Sequence, residues 1–370
     1  MSDSKAKFHQ KIENCLCPPG DGVFTVNTAK ERKAALREKL YGQTENIEPL
    51  WKASLNALGE SEHKAAILGI SSDCGGGILR GANWGPLFLR STLLTQQPQV
   101  SAFDLGDVRV IPHLLHDKYL NEGTISNCQK ALYQDENSEY HVSPLSITED
   151  VCDGFYANYP DKGIFGIGGD HSISYPLTKA YLKAKREQGK RTAIIHFDAH
   201  TDLLVERLGI DLCFGSWCTH ILEFLPAPHH LIQFGIRSSG KSKQHWESTF
   251  GVKQHWANEI REQGAEAIVE QVIKQLKEDK VDELYVSFDI DALDEQFAAA
   301  TGTPESGGMT PDEAMTILTA LSKEFPITGA DMMEIAPFTD SSLAGLSSSE
   351  TTLREGAKLS AFLIDAINKG

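Results

Sequence analysis

The sequence predicts an α/β protein: a three-layer sandwich in which helices cover both faces of a mainly parallel β-sheet, preceded by a helical N-terminal arm. From Lys64 onward, short apolar runs typical of buried strands alternate with longer amphipathic stretches typical of helices. Continuous apolar strands indicate a parallel sheet, because helices cover both of its faces. The residues before Lys64 lack this alternation. We therefore expect an arm over residues 1–62 and one α/β domain over residues 63–370.

In the arm, Asn27-Thr28-Ala29-Lys30-Glu31 is a capping-box signal before a charged helix at about 29–41, and a second helix is expected at about 46–58. We expect this arm to cover the main domain. In that domain, strands are expected at 65–70, 102–104, 163–167, 192–197, 231–236, 283–288 and 327–334. Helices are expected at about 172–188, 259–279, 310–324 and 349–368, and the polar stretch 134–148 is expected to be an inserted loop. The helix near 310 has a capping box and a proline in its first turn.

Composition limits the kinds of partner and the cellular compartment that we expect for this protein. The 51 acidic residues outnumber the 35 basic ones and give a formal net charge of −16, so nucleic acid and anionic membranes are not expected as partners. The seven cysteines are odd in number and scattered, which is typical of reduced thiols in a cytoplasmic protein. The polar start has no apolar core like that of a signal peptide, and no apolar run reaches membrane-spanning length.

Three polar segments follow predicted strands: Gly-Gly-Asp-His-Ser at 168–172, Asp-Ala-His-Thr-Asp at 198–202 and Ser-Phe-Asp-Ile-Asp at 287–291. In a parallel sheet, ligands gather outside the carboxyl ends of the strands, so these segments are expected to meet. Their histidines and aspartates are sufficient to bind two divalent metal ions. Such a pair generates hydroxide at neutral pH.

The spacing within the segments supports this interpretation. Where the chain is extended, alternate residues point the same way, so Asp198, His200 and Asp202 can face one pocket. Asp289 and Asp291 repeat this spacing, and two such carboxylates repel each other unless a cation lies between them. Each segment alone is also consistent with a polar strand-end loop or a capped core histidine. The coincidence of all three favours one metal site.

These segments resemble the patterns of the ureohydrolases, the family of arginase and agmatinase. The third continues as Gly-Thr-Pro and Gly-Gly within 287–308, and the stretch 69–90 is similar to the family's first loop. The resemblance covers roughly residues 64–365 and implies the arginase-like fold.

The resemblance also implies two Mn²⁺ ions per chain. One would be bound by His171, Asp198, Asp202 and Asp289, and the other by Asp198, His200, Asp289 and Asp291, so that Asp198 and Asp289 bridge the pair. Oxygen ligands with two imidazoles suit Mn²⁺ on chemical grounds as well, while nickel, cobalt and iron remain open.

Three residues are implied to act on the substrate. Glu334 matches the family's guanidinium-binding glutamate, since a carboxylate pairs with the fork of a guanidinium; the alternative is a strand-end surface carboxylate. Asp202 would bind the hydroxide and accept its proton. His220 resembles the family's proton-shuttling histidine. Here Ile221 follows it where the family usually has glycine, so a structural histidine is the alternative.

The sequence indicates less clearly which chemical group is attached to the guanidinium of the substrate. Leu203-Leu204-Val205 forms an apolar wall that argues against L-arginine, and the stretch 233–240 resembles the agmatinase and guanidino-acid branch. Agmatine, cleaved to putrescine and urea, is the first expectation. A guanidino acid such as guanidinobutyrate, or guanidine in a pocket closed by Trp217, is the main rival. Formiminoglutamate is less favoured, because Gly-Thr-Pro at 302–304 is intact.

Two other classes of protein stay open. One is a metal-binding relative without this activity that holds a partner through its arm. The other is a deacetylase of the same fold that uses one zinc ion, although the paired clusters favour two metals. By resemblance, a homo-oligomer, either a trimer or a hexamer, is expected.

Overall fold

Nine strands form one sheet in the part of the chain that the computed structural model describes, residues 3–23, 27–77, 79–339 and 348–370. The strands are β1 (Leu16–Cys17), β2 (Ala65–Gly69), β3 (Phe103–Val108), β4 (Gly163–Ile167), β5 (Thr192–Phe197), β6 (Leu231–Phe234), β7 (Lys253–His255), β8 (Glu283–Asp289) and β9 (Ile327–Met333). Their order across the sheet is β1-β3-β2-β4-β9-β8-β5-β6-β7. All neighbours pair in parallel except β1, which is antiparallel to β3.

The helices of the described residues are α1 (Asp3–Cys15), α2 (Lys30–Tyr41), α3 (Glu48–Leu55), α4 (Gly85–Gln96), α5 (Glu122–Tyr133), α6 (Pro144–Asn158), α7 (Ser174–Glu187), α8 (Trp217–Ile221), α9 (Lys243–Phe250), α10 (Ala257–Gln263), α11 (Ala265–Glu278), α12 (Pro311–Glu324) and α13 (Ser349–Lys369). None of them is long and apolar enough to cross a membrane. The predicted α/β fold with a mainly parallel sheet is confirmed.

The sheet separates two hydrophobic clusters, which makes the three layers. Along β5, Ala193, Ile195 and Phe197 belong to one cluster, while Ile194 belongs to the other. This alternation follows from the pleat of a strand, whose successive side chains point to opposite faces. Helices α4, α11, α12 and α13 contribute to the first cluster, and α1, α6, α7 and α8 contribute to the second.

The N-terminal segment is integrated into this fold more closely than the sequence indicated. Helix α1 was not predicted; its Phe8 and Ile12 are buried in the second cluster. A Cβ atom at Gly154 of α6 would lie 2.7 Å from the Phe8 ring, so α1 packs directly against that helix. Helix α2 is confirmed, but its predicted capping box is wrong. Ala29 precedes it with φ 57° and makes no side-chain cap bond.

Three further differences lie in the helices. The predicted loop 134–148 is wrong over its last part, because Pro144 begins α6 and the side chains that follow, including Leu145 and Ile147, are buried. The helix predicted at 259–279 is divided at Gly264, whose φ of 89° interrupts helical geometry. Helices α4, α5, α8 and α9 were not predicted. The capping box at Thr310 is confirmed, with its hydroxyl accepting a bond from the Glu313 amide at 3.1 Å.

Candidate metal centre

The predicted ligands meet because the strands that carry them are neighbours in register. Phe197 of β5 pairs with Phe288 of β8, so Asp198 and Asp289 leave the sheet at the same level. Asp289 in turn pairs with Met333 of β9, which places Glu334 beside them. The carboxyl ends of these parallel strands therefore form one acidic edge.

The first group of ligands surrounds the Nδ1 atom of His171. This nitrogen lies 3.1 Å from Oδ2 of Asp198 and 3.2 Å from Oδ2 of both Asp202 and Asp289. All four side chains are almost completely buried. These are the four residues predicted for one metal ion.

The second group surrounds His200. Its Nδ1 atom lies 3.3 Å from Oδ1 of Asp198 and 3.2 Å from Oδ2 of Asp291. Asp198 thus offers one oxygen to each group, as a bridging carboxylate does. Oδ1 of Asp289 accepts the Asp291 amide at 2.8 Å, so only its Oδ2 faces the first group in this structure.

The donor set fits a pair of divalent cations. The buried Nδ1 of His171 has no hydrogen-bond partner among the described residues, although three carboxylate oxygens surround it. Nε2 of the same ring contacts the Ser287 hydroxyl at 3.0 Å, which leaves Nδ1 free to bind a metal. Burial and the charge of Asp198 raise the pKa of Asp202, and burial and Asp291 raise the pKa of Asp289, both well above the ordinary range. A cation bound between them would remove that repulsion.

A chain of hydrogen bonds, buried except at its outer end, fixes which nitrogen of His196 carries the proton, and the sequence did not single out this residue. The Trp256 indole can only donate, so it donates to Oε1 of Gln254 at 2.9 Å. Nε2 of Gln254 then donates to Oε1 of Gln233 at 2.7 Å, and Nε2 of Gln233 donates to Nδ1 of His196 at 2.8 Å. Nδ1 is therefore an acceptor, and Nε2 of His196 donates to Oδ2 of Asp198 at 2.9 Å.

His196 consequently orients a ligand without being one. Burial lowers its pKa, in agreement with a neutral ring that carries its proton on Nε2. The signal was present in the sequence, since His196 and Asp198 have the same alternate spacing as Asp198 and His200. Outer partners of this kind hold metal-binding carboxylates in place.

Trp217 lies on the inner side of the site. Its side chain is fully buried, and its Nε1 donates to Oδ2 of Asp202 at 2.8 Å. The ring centroid lies 5.0 Å from the centroids of both His171 and His196. The predicted role as a wall of the substrate pocket does not match this position, because the indole packs behind the ligands.

His220 does not join the cluster. Its Nε2 contacts the backbone carbonyl oxygens of Asp211 at 2.9 Å and Val205 at 3.2 Å. This nitrogen is therefore engaged by the loop that precedes it, and the proton-shuttle role of His220 stays a prediction. Phe214 of that loop contacts the glycine stretch 75–77, with its amide donating to the Gly75 carbonyl at 3.0 Å.

Glu334 is placed as predicted, beside the first group of ligands. Its Oε1 accepts the backbone amide of His171 at 2.9 Å, and its side chain is 3% exposed. Burial and the charge of Asp289 raise its pKa well above the ordinary range. A cationic substrate would satisfy this carboxylate, so Glu334 is a suitable partner for a guanidinium.

Known proteins resemble this chain in sequence and in fold. Agmatinases of Salmonella paratyphi B and Salmonella newport are each 37% identical over 182 residues, which is 49% of this chain and 54% of theirs. The chain thus spans about half the length of the curated relatives it matches. A structure described as a hypothetical agmatinase from Burkholderia thailandensis has 25% identity and a TM-score of 0.61, covering 83% of this chain and 86% of its own. Formimidoylglutamase from Bacillus subtilis has 22% identity and a TM-score of 0.63, covering 82% and 87%.

The family assignment rests on a longer match. The model of the arginase family matches residues 63–363, which include every ligand of the two groups and Glu334. The site geometry and this match agree, and the chain belongs to the arginase family.

Proposed function

We propose that the protein hydrolyses a guanidino compound to urea and an amine at a pair of divalent metal ions, for which manganese is the expected metal. The observation that carries the proposal is the convergence of two ligand groups around His171 and His200, with the Glu334 carboxylate one hydrogen bond from His171. The seven free cysteines are in keeping with a cytoplasmic location, which we also propose.

The metal ligands, Glu334 and the residues that support them have separate roles in this reaction. When bound, two divalent cations would lower the pKa of a metal-bound water molecule from about 15.7 towards about 7 and so supply a nucleophile at neutral pH. Glu334 would hold the guanidinium through paired hydrogen bonds and orient it beside the two ligand groups. Its own orientation is fixed by the His171 amide. His196 and Trp217 hold Asp198 and Asp202 in place.

Agmatine is the first candidate substrate. Sequence similarity to agmatinases at 37% identity supports it, as does the apolar stretch 203–205, which offers no polar group for an amino-acid head. Leu203 of this stretch is buried, whereas Leu204 and Val205 are 41% and 60% exposed.

A guanidino acid is a second candidate, and the cavity beside the site favours it. A cavity of about 490 Å³ is lined by residues that include Gly75–Gly77, Arg80, Arg207 and Phe214, with no carboxylate among its lining residues. It borders the metal centre, because a Cβ at Gly77 would lie 3.6 Å from the methyl group of Thr303, whose hydroxyl donates to Asp291 at 3.0 Å. Arg207 attracts a carboxylate tail and repels the ammonium of agmatine, and Arg80 adds to this effect to the extent that its ion pair with Asp73 at 3.8 Å leaves its charge uncompensated.

The test is a urea-release assay on agmatine, guanidinobutyrate, arginine and guanidine, with the protein loaded first with manganese and then with nickel. Agmatine turnover would support the first candidate, and a higher kcat/KM for guanidinobutyrate would support the second. Urea from none of the four would refute the proposed activity.

Asp289→Asn is the matched negative control for this assay. Removing one charge from the acidic edge is expected to abolish turnover and to release one or both metals, as counted by elemental analysis. Full activity with two metals bound would contradict the assignment of the site. In the unaltered protein loaded with manganese, two manganese ions per chain support the proposal, whereas one zinc ion and no bound manganese would support the deacetylase alternative.

The assembly is proposed separately. We propose a homo-oligomer, a trimer or a hexamer, on the basis of family membership. Light scattering coupled to size-exclusion chromatography measures the mass of the assembly, and a monomeric mass would contradict the proposed oligomer.

A protein that binds two metals yet releases urea from no guanidino compound would support the alternative of a relative acting through a partner.

A further inference from the structure

A second cluster of metal-binding side chains lies at the opposite edge of the sheet. His229 and His230 form the end of a short 3₁₀ helix just before β6, and Asp279 follows α11. One ligand atom from each of the three residues lies within 4.8 Å of the others. Strands β5 and β6 begin at this edge, whereas the residues of the metal centre follow the strand ends. The cluster is therefore separate from that centre by the length of a strand.

The protonation of His230 is set by its inner nitrogen. Nδ1 contacts the backbone carbonyl of Thr192 at 3.0 Å, and a carbonyl can only accept, so Nδ1 carries the proton. Nε2 of the neutral ring is then a bare acceptor. His230 is fully buried, and burial lowers its pKa. A histidine whose Nδ1 donates to a carbonyl while its Nε2 points at other ligands has the usual arrangement of a metal-bound imidazole.

The bare nitrogen faces another unsatisfied acceptor. Nε2 of His230 lies 4.0 Å from Oδ2 of Asp279, and neither atom has a hydrogen-bond partner among the described residues. Nε2 of His229 lies 3.3 Å from the same oxygen, without the alignment of a hydrogen bond. Ligand atoms about 3.4 Å apart are expected around a tetrahedral zinc ion with bonds of roughly 2.1 Å. The His229 distance fits directly, and the His230 distance requires a shift of about half an ångström.

The surroundings also favour a cation. Asp279 is the C-cap of α11, so the negative end of that helix adds to its carboxylate. Arg191 donates to the backbone oxygen of Asp279 at 3.0 Å rather than to its carboxylate. The side chains of His229 and Asp279 are 39% and 26% exposed, so an ion can enter from solvent.

We propose that His229, His230 and Asp279 form a zinc site, distinct from the catalytic metal centre, with three protein ligands and one position open to water. Two imidazoles and a carboxylate are a common ligand set for zinc, and the three-ligand form leaves the fourth position exchangeable. Its position between the start of β6 and the end of α11 ties these two elements together.

The test compares zinc content between full-length variants that share an intact catalytic centre. Each protein is loaded with Mn²⁺, equilibrated with Zn²⁺, desalted and analysed for both metals. The unaltered protein is expected to hold one zinc ion more per chain than His229→Gln or Asp279→Asn. Its dissociation constant for that zinc ion is expected to be at least tenfold lower than that of either variant. Both substitutions are at partly exposed positions, and circular dichroism checks that the variants fold.

His245→Gln is the matched control, because His245 is exposed and outside the cluster. It is expected to keep the full zinc content. Zinc is also expected to raise the melting temperature of the unaltered protein and of this control, but not that of His229→Gln, since an ion that binds only the native state stabilises it. Equal zinc content and affinity in all four proteins would refute the site.

Discussion

Replacing Trp217 with phenylalanine tests whether metal binding depends on the hydrogen bond that the indole donates to Asp202. The change keeps a buried aromatic ring but removes the indole N–H that donates to Asp202 at 2.8 Å. A hydrogen bond to a charged group contributes about 1.5–3 kcal/mol. Because 1.4 kcal/mol corresponds to a factor of ten, manganese affinity is expected to fall roughly 10- to 100-fold. The same range is typical when an outer partner of a metal ligand is removed.

Trp51→Phe is the matched control for this prediction. Trp51 is also fully buried, and its Nε1 donates to the Leu105 carbonyl at 3.0 Å, in a part of the sheet that carries no metal ligand. Both variants lose a hydrogen bond and ring volume, so both are expected to melt at lower temperature. Only Trp217→Phe is expected to bind manganese more weakly in isothermal titration calorimetry. Unchanged manganese affinity in Trp217→Phe would refute the supporting role of the indole.

Two further substitutions test stability: one tests close packing at a glycine beside the site, and the other tests a buried ion pair. Gly169→Ala is expected to lower stability by about 1–3 kcal/mol or more in denaturant unfolding, because its Cβ would lie 1.6 Å from the Ser72 carbonyl, whereas Gly240→Ala, with nothing within 4 Å, is expected to change little. Arg90→Met is expected to cost about 3–5 kcal/mol, since it leaves the buried Asp107 carboxylate, now 2.8 Å from the guanidinium, without its counter-charge. Unfolding midpoints equal to that of the unaltered protein would contradict either expectation.

The sequence predicted those parts of the fold in which local pattern and burial agree. Strands β4, β5 and β8 are buried on both faces, so they appear as continuous apolar runs. Helix α1 was missed because its few buried residues, which include Phe8 and Ile12, lie among many polar ones. Their burial depends on contacts with α6, which lies far along the chain. Tertiary contacts of this kind leave little local signal.

The residues of the site also differ in how well the sequence predicted their positions. The ligands were predictable because they follow strands, and strands of a parallel sheet end together. His220 and Trp217 lie on the loop and the short helix after β5, where no periodicity relates sequence position to direction. The structure turns His220 towards the carbonyl groups of its own loop and Trp217 towards Asp202. Resemblance to family motifs could not supply those directions, because the loop here departs from the family pattern.

Backbone conformation explains why support for the ligands is needed at all. Alternation along an extended chain accounts for Asp198 and His200 facing one site, but Asp202 has φ 51° and Glu334 has φ 62°. A left-handed residue other than glycine costs roughly 1–2 kcal/mol, so the surrounding structure must stabilise it. Trp217 holds the Asp202 carboxylate and the His171 amide holds that of Glu334. Both carboxylates that depart from regular geometry are thus fixed by hydrogen bonds from neighbouring elements, and for this reason loss of the Trp217 bond is expected to act on metal affinity.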